Sequence, residues 1–303
     1  MRIVFFGTPD FALESLRACV ESGHEVVAVV TQPDRERDRR KVTYSPVKQL
    51  ALELGLKVLQ YEKVSREGVE ELGALKADLF VTCAFGQILS QKILDIPPLG
   101  TINVHGSLLP KYRGSAPIQW AIINGDEITG ITIMRTALKV DSGDILIQES
   151  TPIGKEETAG ELFDRLAVMG GELLKKALAL ISSGKAVYTP QEEEKAVHCR
   201  MLGKSDGLLD FSLGAKQLDC LIRGLTPWPS AFTKLEGKTL KILKAAPCGR
   251  KGVPGCVTVE NGGVYVGCGS GSLQLLEVQL EGGRKMDISA FMLGHKLNGV
   301  KLG

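Results

Sequence analysis

The chain has 303 residues, of which 44% are hydrophobic and 24% charged, with a formal net charge of +2. This composition excludes a wholly disordered chain, and the length suits two domains or one large one. No apolar run reaches the roughly 18 residues of a membrane span, and the apolar start of the chain is too short for a signal peptide and leads straight into a turn.

Residues 2–6 form an apolar run that ends at Gly7-Thr8-Pro9-Asp10. Phe11, Leu13, Leu16, Cys19 and Val20 then recur near helical spacing, and residues 25–30 are β-branched and of strand length. Strand, helix, strand is a βαβ unit, which implies parallel pairing. The pattern continues: helices over 47–54 and 69–75, extended segments at 57–59, 77–83 and 99–104, a helix at 117–124, strands at 130–134 and 145–149. Residues 158–181 predict a long amphipathic helix with Leu162, Leu166, Met169, Leu173 and Leu174 on its apolar stripe. Such alternation argues for an open, mostly parallel α/β sheet with helices on both faces.

Composition then shifts. Residues 185–204 are polar and carry Glu192, Glu193 and Glu194. They suit a linker. One helix at 214–223 follows, then five short turn-bounded strand patterns at 230–235, 239–245, 255–260, 263–267 and 273–279. These predict a small C-terminal β-barrel or sandwich. The domain expectation is 1–188, a linker over 189–204, and 205–303.

Charge is unevenly spread. Residues 1–203 hold 24 Lys+Arg against 27 Asp+Glu, and residues 204–303 hold 13 against 8. A basic C-terminal part hints at a polyanionic partner, although surface solubility alone gives the same pattern. The densest basic cluster, Arg35, Arg37, Arg39, Arg40 and Lys41, faces only Asp34, Glu36 and Asp38. It lacks apolar periodicity and predicts an exposed loop, either merely solvated or an arm that engages phosphates. Seven cysteines show no CxxC pair. Cys248, Cys256 and Cys268 lie 8 and 12 apart with no histidine nearby. Free thiols in a reducing cytosol fit better than a zinc site.

The first βα turn lacks the second and third glycines of a dinucleotide loop, and no GxxxxGK[ST] occurs, so NAD and ATP are not expected. The densest polar constellation runs from Gly100 to Gly114 after a strand, where open α/β sheets bind ligands. Asn103 and His105 are two apart and share a face of an extended segment. An amide can hold a carbonyl oxygen as it gains charge, and an imidazole can move a proton near neutral pH. A lone strand-end histidine is more often structural. The Asn-x-His pairing and its flanking glycines weigh against that reading. Val140-Asp141-Ser142-Gly143-Asp144 reads as a loop, either a plain turn or the source of a carboxylate that orients His105. Ser107 sits in no GxSxG elbow, so covalent catalysis is not indicated.

Asn103-Val104-His105-Gly106-Ser107-Leu108-Leu109-Pro110 followed by the Asp141 loop resembles the signature of folate-dependent formyltransferases. Gly7-Thr8-Pro9-Asp10-Phe11-Ala12, Thr31-Gln32-Pro33-Asp34-Arg35, Ser45-Pro46-Val47-Lys48, Ala116-Pro117-Ile118 and Pro227-Trp228-Pro229 resemble the branch that acts on methionyl-tRNA. The resemblance spans nearly the whole chain. It implies a Rossmann-like domain that binds 10-formyltetrahydrofolate as co-substrate, with Ser107, Leu108, Leu109 and Pro110 lining the folate site and no metal. It implies Asn103, His105 and Asp141 at catalytic positions, and attack of the α-amine of methionyl initiator tRNA on the formyl carbon through a tetrahedral intermediate. The C-terminal part is similar to an OB-like tRNA-binding barrel. The family's tRNA-contacting loop usually carries glycine, which residues 36–42 lack, so Arg35, Arg37, Arg39, Arg40 and Lys41 together are the expected contact set. The expected setting is a monomer in the cytosol. The alternative function is formylation of a nucleotide-linked amino sugar, and a non-catalytic RNA-binding protein on the same scaffold is a third.

Overall fold

The computed structural model describes the backbone of residues 1–37 and 41–303, and the side chains of all of these but 36, 37, 41 and 42. Backbone contacts group the chain into two units that interleave in sequence. One comprises Met1–Gly114, Thr129–Thr151 and Phe163–Cys199; the other comprises Ser115–Ile128, Pro152–Leu162 and Arg200–Gly303.

The strands of the first unit, in chain order, are β1 (Arg2–Gly7), β2 (Glu25–Thr31), β3 (Arg35–Arg37), β4 (Lys41–Thr43), β5 (Val58–Gln60), β6 (Leu79–Cys83), β7 (Thr101–His105), β8 (Arg113–Gly114), β9 (Ile128–Arg135), β10 (Ile145–Pro152) and β11 (His198–Cys199). Seven of them form one sheet of order β10-β9-β7-β6-β1-β2-β5. Pairing is parallel from β5 through β7 and antiparallel between β7 and β9. β1 and β6 are apolar almost throughout and buried along nearly their whole length, as central parallel strands covered on both faces are. Phe6, Phe80 and Phe85 pack together, with ring centroids 5.1 and 5.3 Å apart.

The chain steps outward from β1 to β2 and β5, then returns to β6 on the other side of β1. Such a reversal opens a crevice at the carboxyl ends of the strands on either side of it. The long helix Ala159–Ser182 begins with a capping box: the Thr158 hydroxyl accepts from the Glu161 N–H, and the Glu161 carboxylate accepts from the Thr158 N–H. Its stripe of Leu166, Leu173, Leu174, Leu178 and Ile181 is buried.

In the second unit, β12 (Ala231–Leu235), β13 (Lys238–Cys248), β14 (Val257–Glu260), β15 (Gly263–Gly267), β16 (Ser272–Leu280) and β17 (Met286–Asp287) make a six-stranded antiparallel sheet. Irregular register near Lys244 marks bulges in β13. Bulges bend a strand, which is how a short sheet rolls toward a barrel. The core holds Leu218 and Ile222 of helix Ala215–Gly224 against Leu240, Ile242, Val266 and Leu275.

Some features depart from expectation. The basic run expected as a loop is in part strand, because β3 and β4 pair antiparallel; residues 38–40 lie outside the described residues. A hairpin built of charged residues has no apolar alternation to announce it. Helix Ile288–Gly294 is added near the C-terminus, started by the Asp287 carboxylate accepting from the Ser289 N–H. Segment 189–199 packs on the first unit through β11, which pairs with β8. The seven cysteines are free thiols, and burial pushes Cys83 up to about 12. Among the described residues, no helix is long and apolar enough to cross a membrane, and no group of His, Cys, Asp and Glu is placed to hold a metal ion.

Candidate active site

β6 and β7 end side by side. Thr82 is the ladder partner of Asn103, and its hydroxyl donates to Asn103 Oδ1 at 2.8 Å. That contact engages the amide oxygen, and the same hydroxyl lies 3.1 Å from the Ile102 carbonyl; the NH2 is the amide's donor end. Two residues on, His105 occupies the same side of β7 and is buried. Its Nε2 lies 2.9 Å from the Tyr112 carbonyl oxygen. A carbonyl only accepts, so Nε2 carries the hydrogen and Nδ1 is the nitrogen turned toward Asp141. Nδ1 stands 3.7 Å from Asp141 Oδ2, within ion-pair range and beyond a hydrogen bond.

Asp141 Oδ2 instead accepts from the Gly114 N–H at 2.8 Å. Gly114 has φ +121°, and a Cβ there would lie 2.1 Å from the Cys199 carbonyl oxygen. Only glycine permits this approach of β8 to β11. The Asp141 turn is equally tight. A Cβ on Gly143 would lie 1.9 Å from the Arg135 carbonyl oxygen. The structure thus brings Asn103, His105 and Asp141 together, with an amide beside an imidazole and a carboxylate facing the ring, a set of groups able to bind an oxyanion and to move a proton.

Residues 1–178 match the formyl transferase family, and residues 201–296 match the family's C-terminal domain. The chain belongs to the formyl transferase family. It is 47% identical over 299 residues to the methionyl-tRNA formyltransferase of Agathobacter rectalis, covering 97% of this chain and 96% of that one. It is also 47% identical over 307 residues to the Geobacter sulfurreducens methionyl-tRNA formyltransferase, covering 100% of this chain and 97% of that one. Two solved structures share the fold. The Helicobacter canadensis N-formyltransferase, complexed with folinic acid and dTDP-3-aminofucose, superposes with TM-score 0.71 at 18% identity, covering 94% of this chain and 99% of that one. Aquifex aeolicus HypX with tetrahydrofolic acid gives 0.63 at 20% identity, with 97% of this chain covering 47% of that longer protein.

In this member of the formyl transferase family, the loop of Ser107, Leu108, Leu109 and Pro110 leaves β7 beside His105. It is held from below. The buried Thr132 hydroxyl donates to the Ser107 carbonyl at 2.6 Å and accepts from the Leu109 N–H at 3.1 Å and from Gln148 Nε2 at 2.8 Å. The Ser107 hydroxyl donates to the Lys111 carbonyl, and the Leu109 side chain is buried. Leu108 and Pro110 keep partial exposure.

Three other sequence motifs converge at a cavity of about 410 Å³ lined by Thr8, Gln32, Asp34, Arg35, Ser45 and Gly86, among others. Thr8 Oγ1 accepts from the Gln32 N–H and donates to the Phe85 carbonyl. Asp34 is paired with Lys48 and accepts from Gln60 Nε2. None of Asn103, His105 or Asp141 lines this cavity. Arg35 is exposed and reaches Glu62 at 3.9 Å. Arg39 and Arg40 lie outside the described residues, as do the side chains of Arg37 and Lys41.

Sequence reasoning missed Thr82, Thr132, Gln148 and Gln191, and it placed Arg113 and Gly114 in the polar constellation without giving them a role. Thr82 carries a signal, a hydroxyl inside an otherwise apolar strand, and Thr132 a weaker one, a hydroxyl between the apolar Ile131 and Ile133. Gln148 and Gln191 carry none, because their partners are distant in sequence.

Arg113 is fully buried and donates through Nη1 to Glu193 Oε2 at 2.7 Å. Hydrogen bonds from Lys139 and then Arg113 hold the Glu193 carboxyl down to about 2 from an ordinary 4.5. A carboxyl lowered on folding adds stability above its unfolded value, and that contribution disappears as pH falls through the folded one. Melting curves of wild type and Glu193→Gln are therefore expected to differ above pH 4.5, with wild type the more stable, and to converge near pH 2. Equal melting at neutral pH in low salt would discount the pair.

Proposed function

We propose that this protein transfers the formyl group of 10-formyltetrahydrofolate to the α-amino group of methionyl initiator tRNA, for the start of translation. The observation that carries the reading is 47% identity, over essentially the whole chain, to methionyl-tRNA formyltransferases. The placement of Asn103, His105 and Asp141 supports it.

The chemistry is a direct transfer. The amine lone pair adds to the formyl carbon, giving a tetrahedral intermediate. The bond from that carbon to folate N10 then breaks; the amine nitrogen loses one proton and N10 gains one. Asn103 Nδ2 donates to the oxygen that gains charge in the intermediate. His105 Nδ1, the ring nitrogen without a hydrogen, takes the amine proton and returns it to N10. Asp141 faces that nitrogen at 3.7 Å and, once Nδ1 has taken the proton, attracts the imidazolium so formed. The loop from Ser107 to Pro110 borders the folate site. The basic hairpin and the C-terminal unit, with 13 Lys+Arg against 8 Asp+Glu, supply charge for the tRNA. The setting is a monomer in the cytosol.

The test is formyl-labelled 10-formyltetrahydrofolate with methionyl initiator tRNA, run beside a dTDP-linked amino sugar. Label on the tRNA and none on the sugar is expected. The opposite result would give the amino-sugar reading the protein, although its support is likeness of fold alone.

A prediction attaches to the hairpin. Arg39, Arg40 and Lys41 replaced together by Ala should raise KM for tRNA and leave KM for folate alone. The slope of log affinity against log salt should flatten by about 2, since each phosphate contact contributes roughly 0.7–0.9. A salt series that leaves the slope unchanged would remove the phosphate role.

A further inference from the structure

Segment 189–199 reads as linker by composition, yet it supplies Gln191, whose amide is engaged at both ends. Its Oε1 accepts from Arg113 Nε at 3.0 Å and from Arg113 Nη2 at 2.9 Å. Its Nε2 donates to the Asp141 carbonyl at 2.9 Å and to the Gly143 carbonyl at 2.7 Å. The Arg113 side chain is 0% exposed. A guanidinium taken out of water persists where acceptors meet its donors, and Gln191 and Glu193 accept three hydrogen bonds from it, one from each of its nitrogens. Because a guanidinium only donates, Arg113 dictates that the Gln191 oxygen faces it and the NH2 faces the Asp141 turn.

The turn needs such a hold. Asp141 has φ +50°, a left-handed conformation uncommon outside glycine. Its carboxylate is directed by the Gly114 N–H, and its backbone by Gln191. Release of the backbone lets φ relax and swings Oδ2 away from the imidazole.

We infer that Gln191 is a positioning residue for the transfer reaction: bridging buried Arg113 to the Asp141 and Gly143 carbonyls, it locks the turn that presents the carboxylate to His105. The inference rests on the reading that Asp141 serves His105 in formyl transfer. An amide is required, since one end must accept and the other donate.

The variants are Gln191→Glu and Gln191→Leu. Glu keeps an acceptor for Arg113, so the buried charge stays satisfied, and it loses both donors to the turn. The readouts are thermal melting, steady-state kinetics for both substrates, and ¹⁵N ring signals of His105 in the ligand-free protein, with His24 and His295 as references. Gln191→Glu is expected to fold, to lose about tenfold to 10²-fold in kcat with both KM values little changed, and to move the His105 ring signals alone. Wild-type kcat with unmoved His105 signals overturns the inference. So does loss of activity that merely tracks melting temperature across both variants with the ring signals fixed. The ring spectrum needs no substrate, which keeps two failures apart. Moved His105 signals in a protein whose wild type formylates no tRNA reject the functional reading and leave the positioning contact in place.

Discussion

Replacing His105 by Ala should lower kcat by about 10²–10⁴-fold, the usual contribution of a positioned acid–base group. Asn103→Ala should cost ~2.7–4 kcal/mol of transition-state stabilisation, the cost of removing one oxyanion donor. Both effects should fall on kcat, with KM for folate and tRNA little changed, because neither group is needed to hold the ground state. The geometry ranks the two. Asn103 is braced by Thr82 through its oxygen alone, so truncation removes a donor without opening a network. His105 stands between the Tyr112 carbonyl and Asp141, so truncation also removes what the Asp141 turn is built to face. The double variant should therefore lose less than the product of the single losses, as groups acting on one intermediate do. Steady-state kinetics on the three variants, with melting curves alongside, decide the matter. Turnover close to wild type in folded single variants would end the assignment.

The sheet was readable because its strands are buried on both faces. Such strands are runs of apolar residues, as in residues 2–6 and 79–83, and runs survive without any knowledge of partners. The long helix was readable from its stripe and from Thr158 and Glu161 at its start. What hid was pairing between polar segments. β3 and β4 hold charged residues, and β8 and β11 are two residues each. None of these has a period. Domain grouping hid for a related reason. Helix Pro117–Ile123 shows only an apolar face, and nothing local reveals that it packs on helix Ala215–Gly224.

At the site, Asn103 and His105 were legible because a strand's alternation puts them on one side. Asp141 was legible as a loop acid, and its distance from the ring was not. The braces were the least visible part. Gln191 lies 50 residues from Asp141 and 78 from Arg113, in a stretch whose acidity looks like solvated linker. A side chain of this kind declares itself only through the partners that folding brings to it.

Gly114→Ala should be strongly damaging for a single added methyl near the site. Two costs combine. At φ +121° an L side chain is strained, and the new Cβ would stand 2.1 Å from the Cys199 carbonyl oxygen, which is backbone and cannot swing aside. Either β11 is pushed off β8 or Gly114 withdraws. The first breaks the Arg113–His198 and Gly114–Cys199 pairing; the second pulls the Gly114 N–H off Asp141 Oδ2. Both reach the same carboxylate. A shift of about 1 Å at a reacting group costs on the order of 10²-fold in rate, so kcat should fall by about that factor. Stability should fall too, and each 1 kcal/mol lost lowers the melting temperature by roughly 2–4 °C for a unit of this size. Gly55→Ala is the control, because Gly55 also has positive φ, +68°, but has nothing within 4 Å of its Cβ. It should show the backbone strain in melting temperature and leave kcat intact. If Gly114→Ala behaves like Gly55→Ala, the Gly114 contact does not hold Asp141 for catalysis.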